Sequence, residues 1–500
     1  METHLEIEAK YDLADGQQLP ELIGVAGVAA VVAQAEMVLT ATYFDTSGHS
    51  LAAARATLRR RTGGTDDGWH LKLPLADGER LEVHRPLGRG QTPPAALVAL
   101  VRGFVRANRL EPIATLVNRR TVHQLLDGDD RVLAELADDS VTGERHAVEG
   151  QVVTWRELEI ELVDGDRAVL AALDAAVRAA GVQPASSTSK LGRVLGSAPV
   201  RFAQRPTFGR KTPVGDVLAA ALQQAVLDLQ AADPLVRLDR PDAPTRMRAA
   251  AQRLRAALAL QRQVIPDDVA ASIRTEMGWL DTVVAGLEEL DTTHARIRAA
   301  LAVQPRELVL GPVTRRVDRE LTAARKTAVA VVREALESPR YLDLLESVVE
   351  FPTRLTSQGA AATRAGDVLP DLAARSLRRA ERRLGQLARA PSADERRWQE
   401  RAARRAVQRA SYAERLHSGR AQQIQGPLES TLDEVATVLA RLDVSLRTQE
   451  VLRDLAVQAH AAGEIAFTYG LLHGLEKARA DSLVRETSKL RKHLRRLDRL

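Results

Sequence analysis

In several segments of the first 200 residues charged side chains recur at every second position, with cations gathered in the earlier ones and a carboxylate triplet in the last. Residues 5–10 read Leu5-Glu6-Ile7-Glu8-Ala9-Lys10. Alternate side chains of a strand point to opposite faces, so Glu6, Glu8 and Lys10 share one face and Leu5, Ile7 and Ala9 the other. The same spacing holds for Arg59 and Arg61, for His70 and Lys72, and for Arg80, Glu82 and His84. It holds again for Glu135, Ala137 and Asp139, and for Glu157, Glu159 and Glu161. A solvated outer face accounts for any one such strand. The segregation by sign, with Lys10, Arg59, Arg61 and Lys72 early and the carboxylate triplet late, favours charged faces turned inward on a closed sheet. Charges so enclosed must be paired, hydrated or ligand-bound. Guanidinium and ammonium groups neutralise phosphate oxygens. Clustered carboxylates take up protons unless a hard cation such as Mg²⁺ or Mn²⁺ sits among them. The chemistry implied is that of a metal-dependent enzyme or receptor for a linear triphosphate.

Those faces need a scaffold. The chain has 500 residues, 45% hydrophobic and 27% charged, a length at which two or more cores are expected. Cysteine is absent, which excludes disulfides and thiolate metal sites and is compatible with a reducing cytoplasm. No apolar run approaches the roughly 20 residues of a membrane span, and the charged N-terminus lacks a signal-peptide pattern. Residues 1–200 hold 21 Lys+Arg against 28 Asp+Glu, and the other residues 50 against 38. An acidic part therefore precedes a basic one, which suits a polyanion or carries solvated arginine faces.

Residues 1–195 read as strand-rich α+β. Candidate strands are 4–12, 38–45, 55–62, 69–74, 80–85, 115–126, 131–138 and 152–163, with helical patterns near 17–23, 93–107 and 166–180. Gly63-Gly64 and Ala76-Asp77-Gly78 supply turns, and eight strands suffice to close an antiparallel barrel. Residues 196–213, with Pro199, Pro206 and Pro213, read as a linker. From 214 onward the pattern is helical, with breaks near 239–244, 264–267, 303–313, 351–371 and 388–393. Residues 246–258 resemble 401–415, both Arg-rich helices, as expected of two related helical bundles.

Glu6-x-Glu8-x-Lys10, Leu58-Arg59-x-Arg61, Lys72, Glu82-x-x-Arg85-Pro86, Glu157-x-Glu159-x-Glu161 and Ser189-Lys190-Leu191 occur in the order of the CYTH domain, the triphosphate tunnel metalloenzyme family, which residues 1–200 resemble. The resemblance implies an eight-stranded antiparallel tunnel that hydrolyses triphosphates with Mg²⁺ or Mn²⁺. Carried over by motif, Lys10, Arg59, Arg61, Lys72, Arg80, Arg119 and Lys190 would hold phosphates. Glu6, Glu8, Glu157, Glu159 and Glu161 would hold metal, with Glu135 and Asp139 as partners. Glu6, Glu8 and Lys10 form the expected catalytic strand, with Glu8 a candidate base. At Arg119 the family often has a second basic residue two places earlier, where this chain has Val117.

Residues 214–500, with Gly463-Glu464-Ile465-Ala466-Phe467-Thr468-Tyr469-Gly470-Leu471-Leu472 and the paired Arg-rich helices, resemble the CHAD domain (conserved histidine α-helical domain). That resemblance implies polyphosphate binding in a basic groove. The usual motif histidines are replaced by Thr245 and Arg401, while Arg248, Arg253, Arg255, Arg404, Arg405 and Arg409 keep the positive charge.

The expected activity is that of a cytoplasmic inorganic triphosphatase whose helical part recruits or senses polyphosphate. The alternatives are a non-catalytic protein of polyphosphate granules, a class IV adenylate cyclase or a thiamine triphosphatase. His4, His70, His84, His123 and His146 match no zinc spacing and are expected on the tunnel wall or surface. With aromatics at 3% and no stacking platform, a nucleic-acid role is not supported.

Overall fold

The computed structural model describes residues 2–75, 79–147, 151–196, 208–262, 268–355, 359–418 and 426–497. The chain forms two compact units, Met1–Gln204 and Arg205–Leu500. The first is built on strands β1 (Glu2–Glu6), β2 (Glu8–Leu13), β3 (Ala30–Ala33), β4 (Met37–Asp45), β5 (Thr57–Thr62), β6 (Gly68–Pro74), β7 (Arg80–Pro86), β8 (Glu111–Leu126), β9 (Val132–Arg145), β10 (Val152–Leu162) and β11 (Gln183–Pro184). Their order is β1-β7-β6-β5-β4-β8-β9-β10-β2-β11, with β3 on β8. β1 and β2 are halves of one strand broken at Ile7. They lie at opposite ends of that order, β1 antiparallel to β7 and β2 antiparallel to β10. The N-terminal strand thus closes the sheet on itself, and the charged alternate positions face the enclosed space.

The outward positions are apolar and covered. Tyr11, Leu13, Leu158, Ile160 and Leu162 pack with Leu173 and Val177 of helix α4 (Arg167–Ala179). Three short helices, α1 (Ser50–Ala53), α2 (Ala95–Leu100) and α3 (Arg102–Val105), precede it in the chain. A fifth, α5 (Lys190–Leu195), does something different. Its Leu191, Val194 and Leu195 pack on Ala41, Tyr43, Leu116 and Val141, residues of inward parity, so it lies across one end of the tunnel. Gly143 makes room for it, because a Cβ there would come within 2.3 Å of Val194.

Several sequence expectations change. The strand expected over 4–12 is two strands, because its halves pair with different neighbours. The helix expected near 17–23 is irregular chain: Pro20 cannot donate a backbone hydrogen bond, and Leu22 still reaches the core. Segment 93–107 forms two short helices parted at Val101. The turn at 76–78 and most of the 196–213 linker fall outside the described residues.

The second unit contains α6 (Val214–Arg237), α7 (Ala243–Gln261), α8 (Asp268–Ala302), α9 (Val313–Glu337), α10 (Pro339–Glu350), α11 (Ala365–Leu387), α12 (Ala393–Ser418), α13 (Pro427–Ala461) and α14 (Phe467–Leu497). The break expected over 351–371 ends earlier, since Pro370 lies inside α11. The break at 264–267 lies outside the described residues. The repeat is written most plainly before the Arg-rich helices. Val214-Gly215-Asp216-Val217-Leu218 opens α6 as Ala365-Gly366-Asp367-Val368-Leu369 opens α11. The two openings exchange hydrogen bonds, Val214 N–H to Thr363 O and Ala365 N–H to Thr212 O, each 2.8 Å. A Cβ on Gly215 would meet Ala361 at 2.9 Å and one on Gly366 would meet Arg210 at 3.0 Å, so the close crossing requires glycine on both sides. Further in, Gln408 donates to Gln252 at 2.6 Å between α12 and α7.

One buried carboxylate anchors the turn that follows β4. Asp45 is fully buried and accepts backbone N–H bonds from Thr46, Leu51 and Ala52 at 2.7, 2.8 and 2.9 Å. Asp45→Ala strands all three donors and is expected to lower unfolding free energy by about 3 kcal/mol, measured by urea unfolding; a loss below ~1 kcal/mol contradicts this account.

Candidate active site

The barrel encloses a cavity of about 760 Å³ whose wall carries both signs of charge. Cross-strand register builds its acidic side. Glu157 lies opposite Asp139 and Glu161 opposite Glu135 between β10 and β9, while Glu159 lies opposite Lys10 between β10 and β2. Ser189 caps α5 by accepting the Gly192 N–H at 3.0 Å, which fixes Lys190 at the first position of that helix. Its Nζ stands 2.8 Å from Asp139, 2.7 Å from Glu157 and 2.7 Å from Glu159. Arg120 of β8 forks onto Asp139 at 2.7 and 2.6 Å and reaches Glu159 at 2.6 Å. Lys10 bridges Glu8, at 2.7 Å, and Glu159. Lys72 holds Glu6 at 2.7 Å and Glu82 at 3.4 Å, and Arg80 donates to the Thr188 carbonyl at 2.9 Å.

Burial alone would raise the Glu159 carboxyl; Lys10, Lys190 and Arg120 outweigh it and hold the group well below the usual carboxylate range. Asp139 is depressed in the same way by Lys190 and Arg120 against burial. Glu8 and Glu161 go the other way. Burial raises Glu8, with Glu159 and Glu6 adding to it against Lys10. Burial and then Glu6 push Glu161 up to about 7. On the cationic side Arg59 donates to the Tyr43 hydroxyl at 3.2 Å, and Arg61 pairs with Asp66, which is largely exposed. Burial and the neighbouring Arg59 push Arg61 down to about 9. Arg59 goes the other way, raised against its burial by Tyr43 and Glu82, but the buried Nε of each of these two guanidiniums finds no hydrogen-bond acceptor among the described residues, which is what an anion would supply.

Ligand oxygens of Asp139, Glu157 and Glu159 lie within 4.8 Å of one another, the one such group among the described residues. An all-oxygen donor set fits a hard divalent cation. Glu6, Glu8, Glu135 and Glu161 are further carboxylates of the same barrel rather than members of that trio.

The structure brings Glu6, Glu8, Lys10, Arg59, Arg61, Lys72, Arg80, Glu135, Asp139, Glu157, Glu159, Glu161 and Lys190 to one enclosure. It does not bring Arg119 there. Arg119 is exposed and pairs with Glu36 at 2.6 Å on the outside of the sheet. The correction is one of strand parity: Asn118, Arg120 and Gln124 face inward on β8 and Val117 and Arg119 outward. Apolar residues on both faces of β8 conceal that parity, and the pairing of Arg120 with Asp139 across β9 reveals it. Tyr43 and Trp155 were also missed, since neither carries a charge to mark it. His4, His70 and His84 line the cavity, whereas His146 contacts Thr115 and Pro112.

In the helical unit the six expected arginines divide. Arg248 is tied to Asp281 and Glu288, Arg404 to Glu400 and Asp443, and Arg253 to Asp228. Thr245 donates to Glu288 at 3.2 Å. Arg255 contacts Asp281 at 3.2 Å yet also stands near Arg405 and Arg409. Burial lowers Arg409, as do Arg379, Arg274, Arg255 and Arg405 around it. Burial lowers Arg405 too, followed by Arg255. Helices α7, α8, α11 and α12 therefore converge on a face where cations repel. Arg274 and Arg379 belong to it and were not foreseen, lying outside the Arg-rich motif helices.

Comparison with known proteins agrees with both units. The CYTH domain model matches residues 4–190 and the CHAD domain model residues 220–443. Uncharacterized proteins from two strains of Mycobacterium tuberculosis are each 32% identical over 514 residues, covering 99% of this chain and 97% of their own. Among solved structures, PptA from Streptomyces chartreusis is 21% identical, covers 57% of this chain and 100% of its own, and has a TM-score of 0.46. The CHAD domain from the plant Ricinus communis is 22% identical, covers 60% and 97%, and has a TM-score of 0.43. A putative adenylyl cyclase from Hippeastrum, described as having a dominant triphosphatase activity, is 17% identical, covers 39% and 99%, and has a TM-score of 0.24. Among the described residues no helix is long and apolar enough to cross a membrane. The chain belongs to the family that joins a CYTH domain, the domain of the triphosphate tunnel metalloenzymes, to a helical CHAD domain.

Proposed function

We propose that the tunnel hydrolyses inorganic triphosphate with Mg²⁺ or Mn²⁺ and that the helical unit binds polyphosphate. The observation that carries this reading is a single cavity lined by Arg59 and Arg61, whose buried Nε groups find no acceptor among the described residues, and by Glu159 of the Asp139–Glu157–Glu159 trio. A divalent cation held by that trio would neutralise phosphate-oxygen charge. The chain's own groups do the rest. Arg59 and Arg61 bind and orient the phosphate chain, and Lys10, Lys72, Arg80, Arg120 and Lys190 exchange carboxylate partners for phosphate oxygens. These fixed charges oppose the negative charge of the transferring phosphoryl group. Water attacks the terminal phosphorus as its bond to the bridging oxygen breaks, releasing orthophosphate and pyrophosphate. Glu161 and Glu8, the two carboxyls with raised affinity for protons, are suited to take the proton of that water.

Phosphate release from tripolyphosphate, ATP, thiamine triphosphate and long polyphosphate, each with Mg²⁺ and with Mn²⁺, tests the reading. Tripolyphosphate is expected to be cleaved fastest, and no release from any of the four rejects the enzyme. Arg120→Ala is expected to reduce kcat/KM for tripolyphosphate by about 10²-fold, whereas Arg119→Ala, on the outer face, leaves it nearly unchanged; equal losses reject the assignment of Arg120.

Glu161 also predicts a pH effect in the metal-free protein. Its folded-state carboxyl keeps a proton up to about pH 7, so between the ordinary carboxylate range and pH 7 the folded state binds more protons than the unfolded. Its contribution to stability therefore falls as pH rises through that window. Glu161→Gln should raise the melting temperature more at pH 8 than at pH 5; an equal shift at both rejects the account.

For the helical unit, Arg405→Ala combined with Arg409→Ala in the full chain should weaken long-polyphosphate binding and flatten its log–log salt dependence by about two contacts' worth, with tripolyphosphate turnover retained. An unchanged salt slope removes those arginines from the binding face.

A further inference from the structure

Trp155 stands at the junction between the carboxylate trio and the helix that closes the tunnel. It precedes Glu157 by two residues on β10 and so shares its inward face. Its indole Nε1–H donates to Glu157 Oε2 at 2.5 Å. The ring is held on several sides. It packs with the cluster formed by Leu191, Val194 and Leu195 of α5, and it lies 3.5 Å from where a Cβ on Gly143 would be. The Arg193 guanidinium sits 5.3 Å over its centroid, and Arg193 is itself tied to Asp12 and to the Ser186 hydroxyl. A ring fixed in this way points its N–H in one direction.

The two oxygens of Glu157 have different partners. Oε2 takes the indole N–H, and Oε1 faces the Lys190 ammonium at 2.7 Å. An indole N–H only donates, so it favours an ionised carboxylate oxygen as its partner. Lys190 is shared with Asp139 and Glu159 and is a group that phosphate would draw away. When it leaves Oε1, the indole still holds Oε2 and keeps the carboxylate from rotating out of the trio.

We propose that Trp155 is a positioning residue that fixes the Glu157 carboxylate for a divalent cation. The proposal rests on the reading of Asp139, Glu157 and Glu159 as a metal site. Hydrogen bonds to ligating groups commonly govern metal affinity by 10–100-fold, and removal of this one acts through Glu157 alone. The same tryptophan also links the seating of α5 to the trio, because the residues that hold its ring belong to that helix.

The test uses Trp155→Phe in the full chain, which keeps a ring in the apolar cluster and deletes the N–H. Mn²⁺ affinity, read from the electron paramagnetic resonance signal of free Mn²⁺, is expected to fall about 10-fold. W155F combined with E157Q should bind Mn²⁺ no more weakly than E157Q alone, since the two residues act in series. A purely structural role for the ring predicts unchanged affinity in W155F, or additive losses in the double variant, and either result overturns the proposal. A measurement on unsubstituted tryptophan guards against misfolding of W155F. One indole N–H resonance should shift on Mg²⁺ titration of the wild type and not of E157Q; no responding indole overturns the proposal. Wild-type protein that binds neither Mn²⁺ nor Mg²⁺ removes the metal site and the proposal together, whereas normal wild-type binding with an unaffected W155F removes the proposal alone.

Discussion

The Lys190 ammonium stands 2.7–2.8 Å from three carboxylates that would otherwise repel one another inside a closed barrel. Enclosed charge is tolerable only when it is paired and hydrogen-bonded. Cross-strand register meets that requirement for six of the strands. Lys10 faces Glu159 across β2 and β10, Arg120 faces Asp139 across β8 and β9, and Lys72 faces Glu82 across β6 and β7. The fold turns the usual barrel inside out, with apolar residues outward beneath α4 and charges inward. On the proposed reading, a phosphate oxygen replaces a carboxylate at each cation while a divalent cation takes up the carboxylates released, so that no enclosed charge is left bare.

The helical unit meets the same requirement differently. Arg248 and Arg404, equivalent positions of the two Arg-rich helices, are each neutralised by two acids from their own half. These arginines tie helices together. Arg405 and Arg409 instead have other arginines among their strongest electrostatic neighbours. The cationic face of this unit is therefore made from a different set of side chains than the Arg-rich helices alone suggest, with Arg274 and Arg379 joining Arg255, Arg405 and Arg409.

How much of this was legible in the chain follows from periodicity. On β2 and β6 charged or polar residues alternate with apolar ones, and on β5, β7 and β10 they do so with exceptions that include Arg60, Arg85 and Arg156 on the outer face and Val153 and Trp155 on the inner face of β10, so alternation assigns most of their side chains to the tunnel or the core. β8 carries apolar residues on both faces, Leu116 and Val122 inward and Val117 outward, so alternation there offers no check on the motif, which places Arg119 where the fold has Arg120. Trp155 and Tyr43 were invisible because their roles depend on where one N–H or hydroxyl points, which only the three-dimensional register decides. The bend at Ile7 was hidden for a related reason: an unbroken alternation from Leu5 to Lys10 gives no sign that its two halves have different partners. In the helical unit, the Gly215 and Gly366 repeat was present in the letters but lay outside the Arg-rich helices.

That bend has a consequence for how the barrel forms. Glu8 pairs with Glu161, and Glu6 with Arg80, so the strand made first must find partners made much later. Contacts this distant in sequence slow folding, because chain entropy is lost before they are gained. On the ribosome, the N-terminal strand has nothing to pair with until β7 has emerged, and its second half waits for β10. Until then it is a short amphipathic strand with two unsatisfied edges. Its dense, mixed charge then has a second use, since ionised side chains on an open edge discourage pairing with other chains.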